Sequence, residues 1–348
     1  MLKKKKASWI AAACSAVLLA VIASGCGSSA STDSSLAPQA PQDDYIALFH
    51  PLGEVPIPED NPMTPEKVDL GKTLFFDPRL SGNNQISCAF CHNPSLGFGD
   101  ARPTFIGFEG FQGGRNSPTV INVGYYDAFF WDGRSATLEE QALGPIQAAE
   151  EMNQDLDELV IKLKAIPGYV EQFKDVFNEE ITADNIAKAL AAYQRTVIIN
   201  DSDFDKYLAG DQNALSEEAK RGMDIFVNKG SCLSCHSGPA LSDSNFYNTG
   251  VLTDDLGRYE VTKKEEDKGK FRTPGLRGLS YTAPYMHNGS IATLEELVHF
   301  YNIGGEVEEN RDPRVRPLGL TPEEEQDLVA FLKALDGTAP TETLPELP

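Results

Sequence analysis

Apolar residues recur at helical spacing through most of this chain, and long runs alternating apolar with polar residues are missing. Pro65-Glu-Lys-Val-Asp-Leu-Gly71-Lys-Thr-Leu-Phe75 and Glu217-Glu-Ala-Lys-Arg-Gly222-Met-Asp-Ile-Phe226 read as two related short helices, a weak internal repeat. Residues Asp155 to Ile166 and Asn185 to Val197 add amphipathic runs. Thr137-Leu-Glu-Glu140, Thr293-Leu-Glu-Glu296 and Thr321-Pro-Glu-Glu324 each have the form of a capping box, the last with Pro at the first helical position. Gly- and Pro-rich stretches at 94–118 and 238–284 predict loops long enough to be functional. The pattern predicts an all-α fold with long loops, in which two helical domains, 44–208 and 209–348, meet near residues 200–215.

Chemistry enters through the turns that follow the two related helices. Cys88-Ala-Phe-Cys91-His92 and Cys232-Leu-Ser-Cys235-His236 are two copies of Cys-x-x-Cys-His, the attachment signature of c-type haem. Two intervening residues put both sulfurs over one porphyrin edge, and the next residue brings its imidazole under the iron as proximal ligand. A redox dithiol or a zinc site is the plainer alternative. Zinc would need both Cys pairs in one place and would leave the His after each pair unexplained. Each domain is therefore expected to be a cytochrome c-like unit carrying one covalent haem.

The other two cysteines, Cys14 and Cys26, lie in a segment with the features of an export signal. Lys3 to Lys6 form a basic stretch and Trp9 to Ala23 an apolar one, too short and too terminal for an ordinary membrane span. Ala23-Ser-Gly-Cys26 is similar to a bacterial lipoprotein cleavage box, so residues 1–26 are expected to be a signal peptide with Cys26 as the acylated site. Residues 27–43 are rich in Ser, Ala, Pro and Gly and suit a flexible tether. The expected location is the periplasm, with a soluble body anchored by lipid to the outer membrane and no other membrane contact. The formal charge of −22 grows more negative still without the four signal lysines. That surface argues against nucleic acid and favours a basic electron-donor protein, such as a small cytochrome c or a cupredoxin.

With two haem signatures in hand, several stretches resemble the bacterial dihaem cytochrome c peroxidase family, which includes the oxidase MauG. They are Arg115-Asn-Ser-Pro-Thr119, Phe130-Trp-Asp-Gly-Arg134, Glu140-Gln-Ala-Leu-Gly-Pro145 and Ala283-Pro-Tyr-Met-His-Asn-Gly289, and the likeness runs from about Asn61 to Leu335. The resemblance implies that the N-terminal haem cleaves hydrogen peroxide and that the C-terminal haem holds electrons. It makes Trp131 the relay between them. It assigns Glu151 as the acid/base that moves a proton between the peroxide oxygens, and Gln141 as its polar neighbour. Glu150 is the competing carboxylate, and a pair of solvated helix residues is the plainer reading of Glu151 and Gln141. The resemblance also implies a calcium ion held by Asn116 and by the backbone of Thr282 and Pro284, oxygen donors that suit that ion.

Two departures from the family pattern matter. Gated members carry a covering His sixteen residues after the first proximal His, where this chain has Phe108, and no His lies between His92 and His236. His50, upstream, is expected at the surface. The N-terminal iron should thus be open, so that reductive gating is not expected. The second departure lies fourteen residues after His287, where electron-storing members place a Met and this chain has Tyr301, as the MauG-like subgroup does. Tyr301 follows Leu294, Leu297 and Val298 at helical spacing, so a core tyrosine is the alternative, and Met286 is the rival ligand. A thioether would raise the haem potential, whereas a phenolate would lower it.

The expected function is a dihaem peroxidase that reduces hydrogen peroxide to water without prior reduction. A MauG-like oxidase acting on a partner protein and a dihaem electron carrier without turnover are the alternatives. Self-association into a homodimer stays open.

Overall fold

The computed structural model describes residues 43–348, so the expected signal peptide, Cys26 and the tether up to residue 42 lie outside the described residues. Helix α1 (Pro65–Phe76) starts where predicted, because the Thr64 hydroxyl accepts the Lys67 N–H and Pro65 occupies the first turn. The first haem signature follows as the single turn α2 (Cys88–Cys91). Then come α3 (Leu138–Gln147), α4 (Leu156–Lys164), α5 (Pro167–Phe177) and α6 (Ala183–Gln194). Helix α7 (Asp203–Leu208) leads into α8 (Glu217–Val227), the short α9 (Tyr259–Thr262), α10 (Leu294–Ile303) and α11 (Pro322–Lys333). The periodicity did not single out α5 or α7. Of the three expected capping boxes, those at Thr293 and Thr321 are complete. At Thr137 the Glu140 carboxylate instead accepts the N–H of Ala136, so that box is only half formed.

Strand structure is confined, among the described residues, to β1 (Phe246–Tyr247) paired antiparallel with β2 (Phe271–Arg272), with Phe246 opposite Arg272. The fold is therefore helical, as the patterning predicts. No helix among the described residues is long and apolar enough to cross a membrane.

The two glycines of the internal repeat do the same job. A Cβ on Gly71 of α1 would lie 1.9 Å from the Ala189 carbonyl oxygen of α6, and one on Gly222 of α8 would lie 1.9 Å from that of Asp327 in α11. Each helix pair can cross at that distance only because the glycine has no side chain. Around the first crossing packs a core including Leu74, Phe75, Leu163, Phe173 and Tyr193. Around the second packs another, with Phe204, Met223, Phe226, Phe331 and Leu332. Phe49, although upstream of α1, joins the second core, with its ring 5.0 Å from that of Phe204. The C-terminal stretch returns the other way, where Arg79 donates to the Pro348 carbonyl at 2.9 Å and Lys72 pairs with Glu342.

The repeat continues beyond the haem turns with a shift of 156 residues. A bridge pairs Phe129 with Ser135, and its counterpart pairs Tyr285 with Ile291. Phe130 and Met286 both take positive φ (64° and 72°), as do Gly133 and Gly289. Thr137 and Thr293 then cap α3 and α10 in matching backbone conformations. In this register Trp131 matches His287, and Asn116 matches Arg272. The halves meet through a reciprocal pair of backbone bonds between these four residues. Asn116 N–H donates to the His287 carbonyl at 2.7 Å, and Arg272 N–H donates to the Trp131 carbonyl at 2.8 Å.

Candidate functional site

Each Cys-x-x-Cys-His turn opens onto its own cavity. In the first, the His92 N–H closes the turn onto the Cys88 carbonyl at 2.9 Å, and His92 Nδ1 lies 3.2 Å from the Phe98 carbonyl oxygen. In the second, His236 N–H bonds the Cys232 carbonyl at 2.9 Å, and Nδ1 lies 3.0 Å from the Leu241 carbonyl oxygen. Engaging Nδ1 with a carbonyl leaves Nε2 as the ligating nitrogen, the usual arrangement of an oriented metal-bound imidazole. Burial lowers the pKa of both imidazoles, which keeps them in the neutral form that binds iron.

The four thiols are unpaired. Burial pushes Cys88, Cys91 and Cys232 up to about 12, and Cys235 upward as well. A redox dithiol needs a depressed thiol pKa, and this burial works the other way. A thioether has no proton to lose and suits the same burial. Among the described residues no group of three or more His, Cys, Asp or Glu is placed to hold a metal ion.

The first cavity is lined by Cys88, Cys91 and His92 and also by Gln141, Pro145 and Glu151. Residues far apart in sequence, from Phe75 to Gln194, thus collapse into one site. Glu150 is exposed and does not line it, whereas Glu151 is half-buried and does. Burial raises the Glu151 carboxyl above its ordinary value; Arg134 partly offsets the rise and Glu150 reinforces it. Backbone contacts hold the loop carrying Glu151 on both flanks. Gly82 N–H donates to the Met152 carbonyl at 2.9 Å, and Phe108 N–H donates to that of Glu150 at 3.1 Å. Phe108 is half-buried and is not part of the cavity lining. His50 is exposed, as expected.

The second cavity is larger and joins more of the expected residues. Cys232, Cys235 and His236 line it together with Tyr301, Met286, Trp131, Asn116, Thr282 and Pro284. Tyr301 projects into it beside Leu297 and Val298, and burial raises its hydroxyl pKa. Both candidate sixth ligands, Tyr301 and Met286, therefore reach the cavity. Trp131 donates its Nε1–H to the Asn116 carbonyl at 2.9 Å. Asn116 donates its amide to the Arg102 carbonyl at 2.8 Å, a bond in which its amide oxygen takes no part.

Three contributors went unrecognised in the sequence. Pro145 lies 156 residues before Tyr301 and so occupies the matching place in the first cavity, where it offers no ligand atom. Arg272 and His287 line the second cavity, and among the described residues the buried Arg272 Nε and His287 Nε2 have no hydrogen-bond partner. His287 stacks on Phe271 with ring centroids 3.6 Å apart, and burial, reinforced by Arg115, lowers its pKa to about 4. Orphaned polar atoms in an otherwise apolar cavity cost stability unless a bound polar group meets them. A haem, with an apolar macrocycle and two propionates, fits that lining. Reading the two capping-box threonines as one repeat would have exposed both the Pro145–Tyr301 and the Trp131–His287 correspondences.

Comparison with known proteins agrees with this geometry. Residues 65–213 match the family described as di-haem cytochrome c peroxidase, and residues 270–301 match one described as RoxA-like, cytochrome c-like. The chain is 42% identical over 332 residues to the cytochrome-c peroxidase IdrP1 of Denitromonas iodatirespirans, covering 84% of this chain and 88% of that one. It is 42% identical over 317 residues to the methylamine utilization protein MauG of Methylorubrum extorquens, covering 89% and 90%. Among solved structures, a MauG-like protein associated with microbial copper homeostasis superposes with a TM-score of 0.77 at 34% identity, covering 82% of this chain and 93% of that one.

Proposed function

This chain belongs to the di-haem cytochrome c peroxidase family, and from that premise we propose that it reduces hydrogen peroxide in the cavity of His92 without prior reduction. Its class is that of a peroxidase-type oxidoreductase with two c-type haems. The haems supply the iron that binds and reduces peroxide and the capacity to hold its oxidising equivalents. The protein's part is proton transfer, orientation and coupling.

Glu151 accepts a proton from one peroxide oxygen and returns it to the other, so that water can leave. Burial raises its pKa above the ordinary carboxylate value, which makes it a stronger proton acceptor than an exposed glutamate. Gln141, on the same cavity wall, donates its amide to orient the peroxide. Trp131, in the lining of the second cavity and bonded to Asn116, couples the two sites. The observation that carries this reading is the shared lining of His92, Gln141 and Glu151, with Pro145 in the place that Tyr301 takes in the other half. Phe108 engages the Glu151 loop through its backbone, which favours a site preformed in every oxidation state.

Titrating the all-ferric protein with peroxide, after recording its resting electron paramagnetic resonance (EPR) spectrum, tests the proposal. A high-spin ferric signal and a stoichiometric optical change are expected. Inertness until half-reduction would overturn the ungated reading, and two low-spin signals would favour the electron carrier.

The position of Tyr301 favours a second reading, oxidation of a partner protein as in a MauG-like oxidase, because a phenolate ligand makes a poor reservoir for ordinary electrons. Partner proteins cross-linked or oxidised after peroxide treatment would separate it from detoxification. The reading further includes a calcium ion at Asn116, Thr282 and Pro284, a basic donor protein, and a lipid-anchored periplasmic location. Metal analysis after chelation and acyl-chain mass spectrometry test the first and last of these.

A further inference from the structure

Among the described residues, four tyrosines line the His236 cavity: Tyr126, Tyr247, Tyr285 and Tyr301. Their hydroxyls are not equivalent. That of Tyr126 accepts the Gly275 N–H at 3.0 Å, and that of Tyr285 donates to the Leu279 carbonyl at 3.0 Å. Tyr301 is already placed as a candidate iron ligand. Tyr247 alone among the four donates to a carboxylate, Asp243 Oδ2, at 2.6 Å.

That difference decides what each phenol can do. A phenol that loses an electron becomes a strong acid, and its oxidation is far easier when a base stands ready to take the proton. Asp243 is held for that task. Asn245 donates to it from its backbone N–H at 3.0 Å and its side chain at 3.1 Å, and Asp243 N–H bonds the Cys235 carbonyl at 3.0 Å. The base is thereby fixed to the haem-attachment turn itself. Arg314, paired with Asp312, lies 4.2 Å over the Tyr247 ring. A cation there opposes any positive charge left on the ring, so electron loss must go with proton loss. The group also reaches the surface, since the Arg314 side chain is 41% exposed. The same phenol–carboxylate pairing occurs at 2.6 Å between Tyr169 and Asp77, but there both residues are buried and line neither cavity.

We propose that Tyr247 is a redox-active residue through which an oxidising equivalent leaves the His236 cavity toward an external one-electron donor, with Asp243 as its proton acceptor. The inference rests on the peroxidase reading. Hydrogen peroxide takes up two electrons and two solvent protons to give two water molecules. Tyr247 supplies one of those electrons and passes its phenolic proton to Asp243, leaving a neutral phenoxyl radical, while the donor protein supplies the other. A phenolic or similar one-electron donor at the surface then reduces the radical, and Asp243 returns the proton.

The test uses the two-haem protein mixed with one equivalent of peroxide, frozen at intervals and examined by EPR, with optical spectra taken in parallel. An organic radical signal is expected that narrows when the protein carries ring-deuterated tyrosine. The signal should be lost in Tyr247→Phe and diminished in Asp243→Asn, with the haem optical response to peroxide intact in both. An undiminished signal in Tyr247→Phe with an intact optical response would overturn the inference alone. If Tyr247→Phe failed to retain haem, an undiminished signal in haem-replete Asp243→Asn would do the same. A wild-type protein whose haems do not respond to peroxide would overturn the peroxidase reading and this inference with it.

Discussion

Gly107 lies against the carbonyl of Glu150 so closely that a Cβ on it would come within 1.9 Å of that oxygen. The next residue, Phe108, donates its N–H to the same carbonyl, so this loop serves as a backbone clamp beside Glu151. A methyl group at Gly107 must push the two loops apart. Gly107→Ala is expected to slow the reaction with peroxide by about a hundredfold, the cost of misplacing a catalytic group by roughly 1 Å. Stopped-flow mixing with peroxide checks this, and unchanged haem content would show that the fold survives.

Glu151 should set the pH dependence of that reaction. The proton-accepting role proposed for it requires the carboxylate form, and burial places its pKa above the ordinary carboxylate value. The rate should therefore rise with pH through a midpoint above that of an exposed glutamate, then level off. Glu151→Gln should flatten the profile and lower the rate by about 10²–10⁴-fold. Glu150→Gln, altering an exposed neighbour whose charge only reinforces the shift, should leave the rate nearly intact and move the midpoint slightly down.

Tyr301 and Met286 are the two candidate ligands that line the second cavity, and substitution separates them. If Tyr301 is the ligand as proposed, Tyr301→Phe should change the EPR spectrum of the C-terminal haem and raise its potential, because an anionic ligand that favours the ferric form is lost. Met286→Leu should leave both unchanged. The reverse pattern in potentiometry would make Met286 the ligand.

Arg272 places a buried guanidinium, with Nε unpartnered, in the wall of the same cavity. Removing that charge in Arg272→Leu should lower the potential of the C-terminal haem by tens of millivolts, because a nearby cation favours the reduced state. Spectroelectrochemistry reads the shift, and the N-terminal haem should move less.

Asp77 links the fold's stability to pH. Burial alone would raise its pKa, but hydrogen bonds from Arg79 and Tyr169 outweigh it and hold the carboxyl below its ordinary value. The stabilisation is fully present above the ordinary carboxylate pKa and is lost as pH falls through the lowered one. Tyr169→Phe should cost about 1.5–3 kcal/mol at neutral pH, the usual range for a hydrogen bond to a charged group. It should also move the onset of acid unfolding to higher pH, as followed by circular dichroism.

The haem signatures, the helices that precede them and most of the caps were legible in the linear chain because each depends on neighbours within a few residues. A Cys-x-x-Cys-His turn carries its geometry in five positions, and the Thr-initiated helices carry theirs in four. The choice between Glu150 and Glu151 was different. Adjacent carboxylates have the same local chemistry, and only the packing of Gly82 and Phe108 against their loop turns one inward and leaves the other in solvent. The asymmetry of the two halves is divided between the levels. Pro145 and Tyr301 are each eight residues after a capping-box threonine and so match in the linear chain, but that both line a cavity, and that Arg272 and His287 carry orphaned polar atoms there, needed the fold. Sequence determined that this protein carries two haem sites, because covalent attachment is local. Tertiary structure decided which side chains face each of them, because facing is a matter of burial and long-range contact.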